Sequence, residues 1–137
     1  MDWKKILSAV LIIFVLNSCA GIGVFSSAQN EFKIGHDLFN RGQYEEAINH
    51  FNKSTELDPT FGRPYIYLGR SYVNLMRWHE AIPPFRTALR LTPEETKQEI
   101  VNIMIDALLA VAISDFREGN FRASIDSLKE ALNLRSQ

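Results

Sequence analysis

Side chains that could carry chemistry are few, and the most conspicuous is the single cysteine, Cys19. One thiol can close no disulfide within the chain, and no Cys-rich zinc site can be assembled around it. The three histidines, His36, His50 and His79, fall on different expected elements without metal-ligand spacing and read as surface or packing residues. Gly21-Ile22-Gly23-Val24-Phe25-Ser26 has glycines spaced like a nucleotide loop, but no strand precedes it in a βαβ unit. Asn52-Lys53-Ser54 has the form of a glycosylation sequon and lies inside an expected helix. There is no nucleophile elbow and no phosphate loop. We expect no catalytic residue, cofactor or metal, and an enzyme with an unrecognised site is the least favoured reading.

The surroundings of Cys19 give it a use. Lys4 and Lys5 precede an uncharged apolar run from Ile6 to Leu16, the basic and hydrophobic regions of a secretory signal. Leu16-Asn17-Ser18-Cys19 resembles the bacterial lipobox, with Leu three before the cysteine and a small residue just before it. That resemblance implies a lipoprotein: residues 1–18 removed as signal peptide, the Cys19 thiol carrying diacylglycerol, and the new amino terminus acylated. Several acyl chains anchor firmly, each buried methylene contributing about 0.8 kcal/mol. An uncleaved transmembrane anchor is the alternative, because Ile6 to Phe25 is uncharged and long enough to span a bilayer. Both readings put the remainder outside the cytoplasm. Ala20 after the cysteine implies, by the same resemblance, the outer membrane where the host has two. Residues 19–30 read as the lipidated cysteine and a tether.

The whole chain is 137 residues, 46% hydrophobic and 23% charged, with a formal net charge of −1. That is material for one domain with a core. The balance of charge argues against a general nucleic-acid binder, which needs a surplus of Lys and Arg, and the apolar content argues against wholesale disorder.

Self-similarity organises the rest. An offset of 34 pairs Gly35 with Gly69, Asn40 with Asn74, Ala47 with Ala81, Ile48 with Ile82, Phe51 with Phe85, Leu57 with Leu91 and Pro59 with Pro93. A third copy comes late: Tyr44, Trp78 and Phe121 correspond, as do Ile48, Ile82 and Ile125. There Ala112 replaces the first-helix glycine and Ser124 the first alanine. The order Tyr65, Leu68, Gly69, Tyr72, Ala81, Phe85, Ala88, Pro93 resembles the tetratricopeptide repeat, a helix-turn-helix unit. The implied fold is an all-α solenoid of about three such units, over roughly 28–61, 62–95 and 96–137, preceded by the N-terminal signal or anchor helix. The domain proper is 31–137.

Steric reasons accompany the pattern. Small residues at 35, 69, 47 and 81 let paired helices approach closely, and Gly42 and Gly119 can adopt the left-handed conformation that ends a helix. Thr92-Pro93-Glu94-Glu95 predicts a helix start with Thr92 as cap and Pro93 at the first position. Nothing breaks that helix before Glu118, so the third repeat has an extended first helix of about 25 residues. Its middle, Ile100 to Ile113, is apolar nearly all round, which predicts burial on every side. Pro83-Pro84 falls inside the preceding helix, where the missing amides predict a kink.

First-helix positions four, three and four apart share one face: Lys33, His36 and Asn40; Arg63, Tyr67, Arg70 and Asn74; and in the third unit Arg117, with Asp106, Ala110 and Ile113. In tetratricopeptide arrays this face lines the concave groove that holds extended peptides or helices. By that resemblance Asn40 and Asn74 would bond a peptide backbone, and Arg63 with Arg70 would fork onto a carboxylate. The Lys/Asn clamp for chaperone tails is missing, since Phe32 and His36 occupy its sites. Residues 62–91 carry a net +4 between flanks of −3 each, which favours acidic partner segments or orderly self-association; ordinary salt-bridged helix faces explain it equally. In the last helix Ile125, Leu132 and Leu134 match residues that elsewhere face a following repeat, so a second copy or a partner protein is expected to cover them. The reading is a lipid-anchored adaptor of the bacterial envelope that assists assembly of secretion, pilus or cell-wall machinery; a self-associating structural subunit is the alternative.

Overall fold

A computed structural model of the protein describes residues 27–136. The signal segment, Cys19 and the tether up to residue 26 lie outside the described residues. Six helices account for the regular structure among those described: α1 over 27–40, α2 (Tyr44–Leu57), α3 (Gly62–Asn74), α4 (Trp78–Leu91), α5 (Glu94–Arg117) and α6 (Phe121–Arg135). Residues 27–30, read from the sequence as part of the tether, are helical and form the first turn of α1. There Ala28 is fully buried and its carbonyl accepts the Ser54 hydroxyl at 2.7 Å. None of the described helices is long and apolar enough to cross a membrane.

The 34-residue period becomes a repeated burial pattern. α2 buries Ala47, Ile48, Phe51 and Ser54, and α4 buries Ala81, Ile82, Phe85 and Ala88 at the same positions one period on. Each fully buried phenylalanine lies against a glycine of the preceding helix. A Cβ on Gly69 would stand 2.5 Å from Phe85 Cε1, and one on Gly35 2.8 Å from Phe51 Cε1, so only glycine permits these ring-to-backbone approaches. Gly62 meanwhile lies against Leu91, which fixes α3 and α4 as an antiparallel hairpin. In the third hairpin the Ser124 hydroxyl donates to the Ala112 carbonyl at 2.8 Å, so the Ala/Ser replacement retains the close approach and adds a hydrogen bond.

All three hairpin turns share one backbone solution. Gln43 N–H donates to Leu38 O, Arg77 N–H to Tyr72 O, and Asn120 N–H to Asp115 O, each closing a helix end with a left-handed residue just before the donor. Gly42 (φ 76°) and Gly119 (φ 84°) supply that residue as the sequence indicates. In the middle hairpin it is Met76, at φ 58°, a side chain where the other two turns use none.

Two apolar clusters run through the stack. One gathers Phe32, Ala47, Ile48, Phe51 and Leu68; the other gathers Ile66, Ala81, Ile82, Phe85 and Ala88 with Ile100, Met104, Leu108 and Val111. Tyr65, Tyr67 and Tyr72 pack against both. The long helix α5, 24 residues, thus lays its first turns on the second repeat, and Ile100 and Met104 are covered there.

Three expectations change. Pro93, not Thr92, stands at the cap position of α5, and the Thr92 hydroxyl donates backward to Ala88 O at 2.8 Å; threonine can serve either helix end, and here it closes α4. The middle of α5 is not covered on every side: Leu109 and Ile113 are exposed, as is Phe116 beyond them, because α4 and α6 cover only part of its circumference. Leu134 is half-buried against the second cluster instead of standing open. The paired prolines are accommodated within α4, which continues as one helix through Pro83 and Pro84.

Candidate functional site

The first-helix face is built by α1 and α3 and reaches α5. At its centre Tyr67 receives the chemistry of both repeats. Its hydroxyl lies 3.2 Å from His36 Nε2, while Asn40 Nδ2 is 3.3 Å from His36 Nδ1. In the tautomer with its proton on Nε2, the His36 ring donates to the tyrosine oxygen and accepts from the Asn40 amide at Nδ1.

Beneath these polar groups lies an aromatic bed. Phe32 meets Phe61, Tyr67 and Phe51 at centroid distances of 5.3, 5.5 and 5.8 Å, and Phe39 meets Tyr67 edge-on at 5.3 Å, geometries that the ring quadrupole favours. Sequence reasoning placed Phe32 only as the residue standing where a clamp lysine would be. Its signal was there, four residues before His36 on the same face.

Basic groups sit above the rings. Arg63 is exposed, with its guanidinium 4.7 Å from the Phe32 ring centre, and no carboxylate is within ion-pair range of it among the described residues. Arg70 lies 5.8 Å from the Tyr67 ring centre and pairs with Glu99 of α5 at 3.2 Å. The two arginines therefore flank the Phe32–Tyr67 pair, one open and one latched to the next repeat. Asn74 Nδ2 is engaged by the Arg70 carbonyl at 2.8 Å, while Lys33 is exposed on α1.

Arg117 does not join this face; it borders a separate depression with Met76, Trp78, Ala110 and Ile113. The other arginines of the basic segment are partly spoken for. Arg77, at the cap position of α4, pairs with Glu80 in the first turn of that helix and holds its carboxyl below the usual carboxylate range, chiefly through their hydrogen bond. Arg86 reaches across to Glu130 of α6 with two bonds, at 2.8 and 2.5 Å. Of the remaining histidines, His50 bonds Glu31 at 2.7 Å and His79 lies 3.5 Å from the buried Asp115. No group of three or more metal-ligating side chains occurs among the described residues.

The face thus offers an exposed guanidinium, a phenol, an imidazole and amides over an aromatic floor. Those groups suit recognition of carboxylates and peptide backbone.

Comparison with known proteins bears on the same stretch. A family model described as TPR repeat matches residues 35–76. The match runs from the glycine packed on Phe51 to the left-handed Met76, through α2 and α3. Together with the stacked hairpins it supports a TPR protein. Over 105 residues the chain is 29% identical to sperm-associated antigen 1 of Rattus norvegicus, covering 77% of this chain and 11% of that protein. Over 107 residues it is 27% identical to sperm-associated antigen 1 of Mus musculus, covering 78% and 11%. The chain spans about a tenth of the length of these relatives. The match to a TPR repeat suggests a protein–protein interaction scaffold.

Proposed function

We propose that this chain is a non-enzymatic, membrane-anchored TPR adaptor that holds a protein segment on the α1–α3 face, in the assembly of a bacterial envelope complex. The observation that carries the docking part is Arg63, exposed over Phe32 beside the His36–Tyr67 pair. It is an open cation on a hydrogen-bonding, aromatic floor, and its partner is an acidic or extended peptide segment. Anchoring rests on the Leu16-Asn17-Ser18-Cys19 motif and its resemblance to the lipobox, with the envelope as location and the outer membrane where there are two.

Photo-crosslinking from Lys33 or Asn40 of the full chain in its own cells, followed by mass spectrometry, tests the docking. One partner crosslinked in wild type and at least tenfold weaker in Arg63→Glu, at unchanged melting temperature, is expected. Equal crosslinking in both would remove the face from the function. For the anchor, intact-mass measurement should find acyl chains on Cys19 and none in Cys19→Ser; an unmodified Cys19 in wild type would refute lipidation.

A further inference from the structure

The outer side of the last hairpin carries an apolar surface separate from the α1–α3 face. On α5 it is formed by Leu109, Ile113 and Phe116, and on α6 by Phe121, Ile125, Leu128 and Leu132, all between 41% and 67% exposed. Both series step by four then three, the spacing of a helix–helix seam. The Phe116 and Phe121 rings touch at 5.4 Å between centroids, joining the two stripes at the turn. Neither stripe is needed by the fold beneath it, because α6 is fastened to its neighbours by other groups: the Ser124 hydroxyl on Ala112 O, buried Ala131, half-buried Leu134, and Glu130 on Arg86.

We infer that this α5–α6 face is a homodimer interface, occupied by the same face of a second copy. Extent is the first argument. With about 200 Å² for a fully exposed large side chain, the seven residues leave roughly 700 Å² of apolar surface open. The largest patch on an ordinary monomer is about 300–600 Å², whereas a standard interface takes about 800 Å² from each partner. Charge is the second argument. Arg122, Asp126 and Lys129 border Ile125 in one depression, so the rim carries both signs within two turns. A mixed rim suits a self-complementary isologous contact, while an anionic lipid surface or a strongly acidic segment would call for a purely basic one.

The test uses the full chain in nonionic detergent, with the protein mass in the micelle measured by light scattering between 1 and 100 µM. Wild type is expected to be a dimer. Leu132→Glu, and separately Phe121→Glu, should raise the dimer Kd at least a hundredfold with unchanged helical circular dichroism. Arg63→Glu should leave dimerisation intact, which separates this face from the docking face. Hydrogen exchange on wild type adds a readout independent of any variant: the α6 amides should gain protection with rising concentration. A wild-type monomer at 100 µM, a dimer indifferent to both glutamates, or α6 exchange independent of concentration would overturn the inference.

Discussion

At Gly69 and at Met76 single residues set the geometry of the middle hairpin in opposite ways. Gly69 is required by what it touches. A Cβ there would overlap the Phe85 ring at 2.5 Å, and that ring is fully buried with no room to swing. Gly69→Leu should therefore destabilise the protein by about 3 kcal/mol or more, the upper range for overpacking; a loss below about 1 kcal/mol in denaturant unfolding would contradict the packing. Met76 is tolerated where glycine fits better. Its φ of 58° places a side chain in the left-handed region that Gly42 and Gly119 occupy in the sister turns, and it is 75% exposed, so packing gives little in return. Met76→Gly should stabilise by about 1 kcal/mol, the relief of left-handed strain less the added freedom of the unfolded chain. An unchanged or lower unfolding midpoint would show that the side chain has a use of its own.

Between elements, what could be read from the sequence divides by how local the physics is. The need for small residues at Gly35 and Gly69 was legible because a fixed period demands the same steric answer twice, and the glycine turns because φ near +80° has one favoured residue; that the Phe51 and Phe85 rings are what pack on those glycines was not, since the period sets the position of a side chain and not its rotamer. The length of α5 was legible because nothing in Glu94–Arg117 interrupts a helix. Its exposed stripe was not, since Leu109 and Ile113 look the same in sequence whether they meet a core or solvent. Thr92 was ambiguous for a related reason: one hydroxyl can serve the end of α4 or the start of α5. Arg63 and Tyr67 were legible on one side of α3 from helical spacing, and His36 of α1 was set beside them only by the tetratricopeptide resemblance, whereas the Glu99 latch on Arg70 depends on where α5 crosses. The same holds for Arg86 and Glu130, 44 residues apart, which clamp α4 to α6 by two parallel hydrogen bonds. Glu130 lowers the free energy of the charged guanidinium and so raises the Arg86 pKa. Because both side chains meet solvent, their coupling should be only about 0.5–1 kcal/mol in a double-mutant cycle with alanine, and should shrink in about 1 M salt. Zero coupling at low salt would mean that the clamp is not formed.

For the whole molecule, stacking makes stability a property of neighbours. Each hairpin buries its face on the next, so the array behaves as coupled units and can open from an end. The two clusters are unequal. The one around Phe51 is built on α1, α2 and one residue of α3, while the one around Phe85 draws on α3, α4, α5 and α6. They are joined by Tyr65, Tyr67 and Tyr72 of α3, which makes α3 the hinge between a weaker N-terminal unit and a stronger remainder. Phe51→Ala removes a fully buried ring and should cost about 3–5 kcal/mol locally. Under native-state hydrogen exchange the α1 and α2 amides of this variant should open separately, while α4 and the first half of α5 keep their wild-type protection. Phe85→Ala strikes the shared cluster, so its loss should propagate through α3 to α6 and leave no unit with wild-type protection. If Phe51→Ala lowered protection equally in α2 and α4, the fold would be a single cooperative block, and the tyrosines of α3 would be transmitting the full loss across the stack.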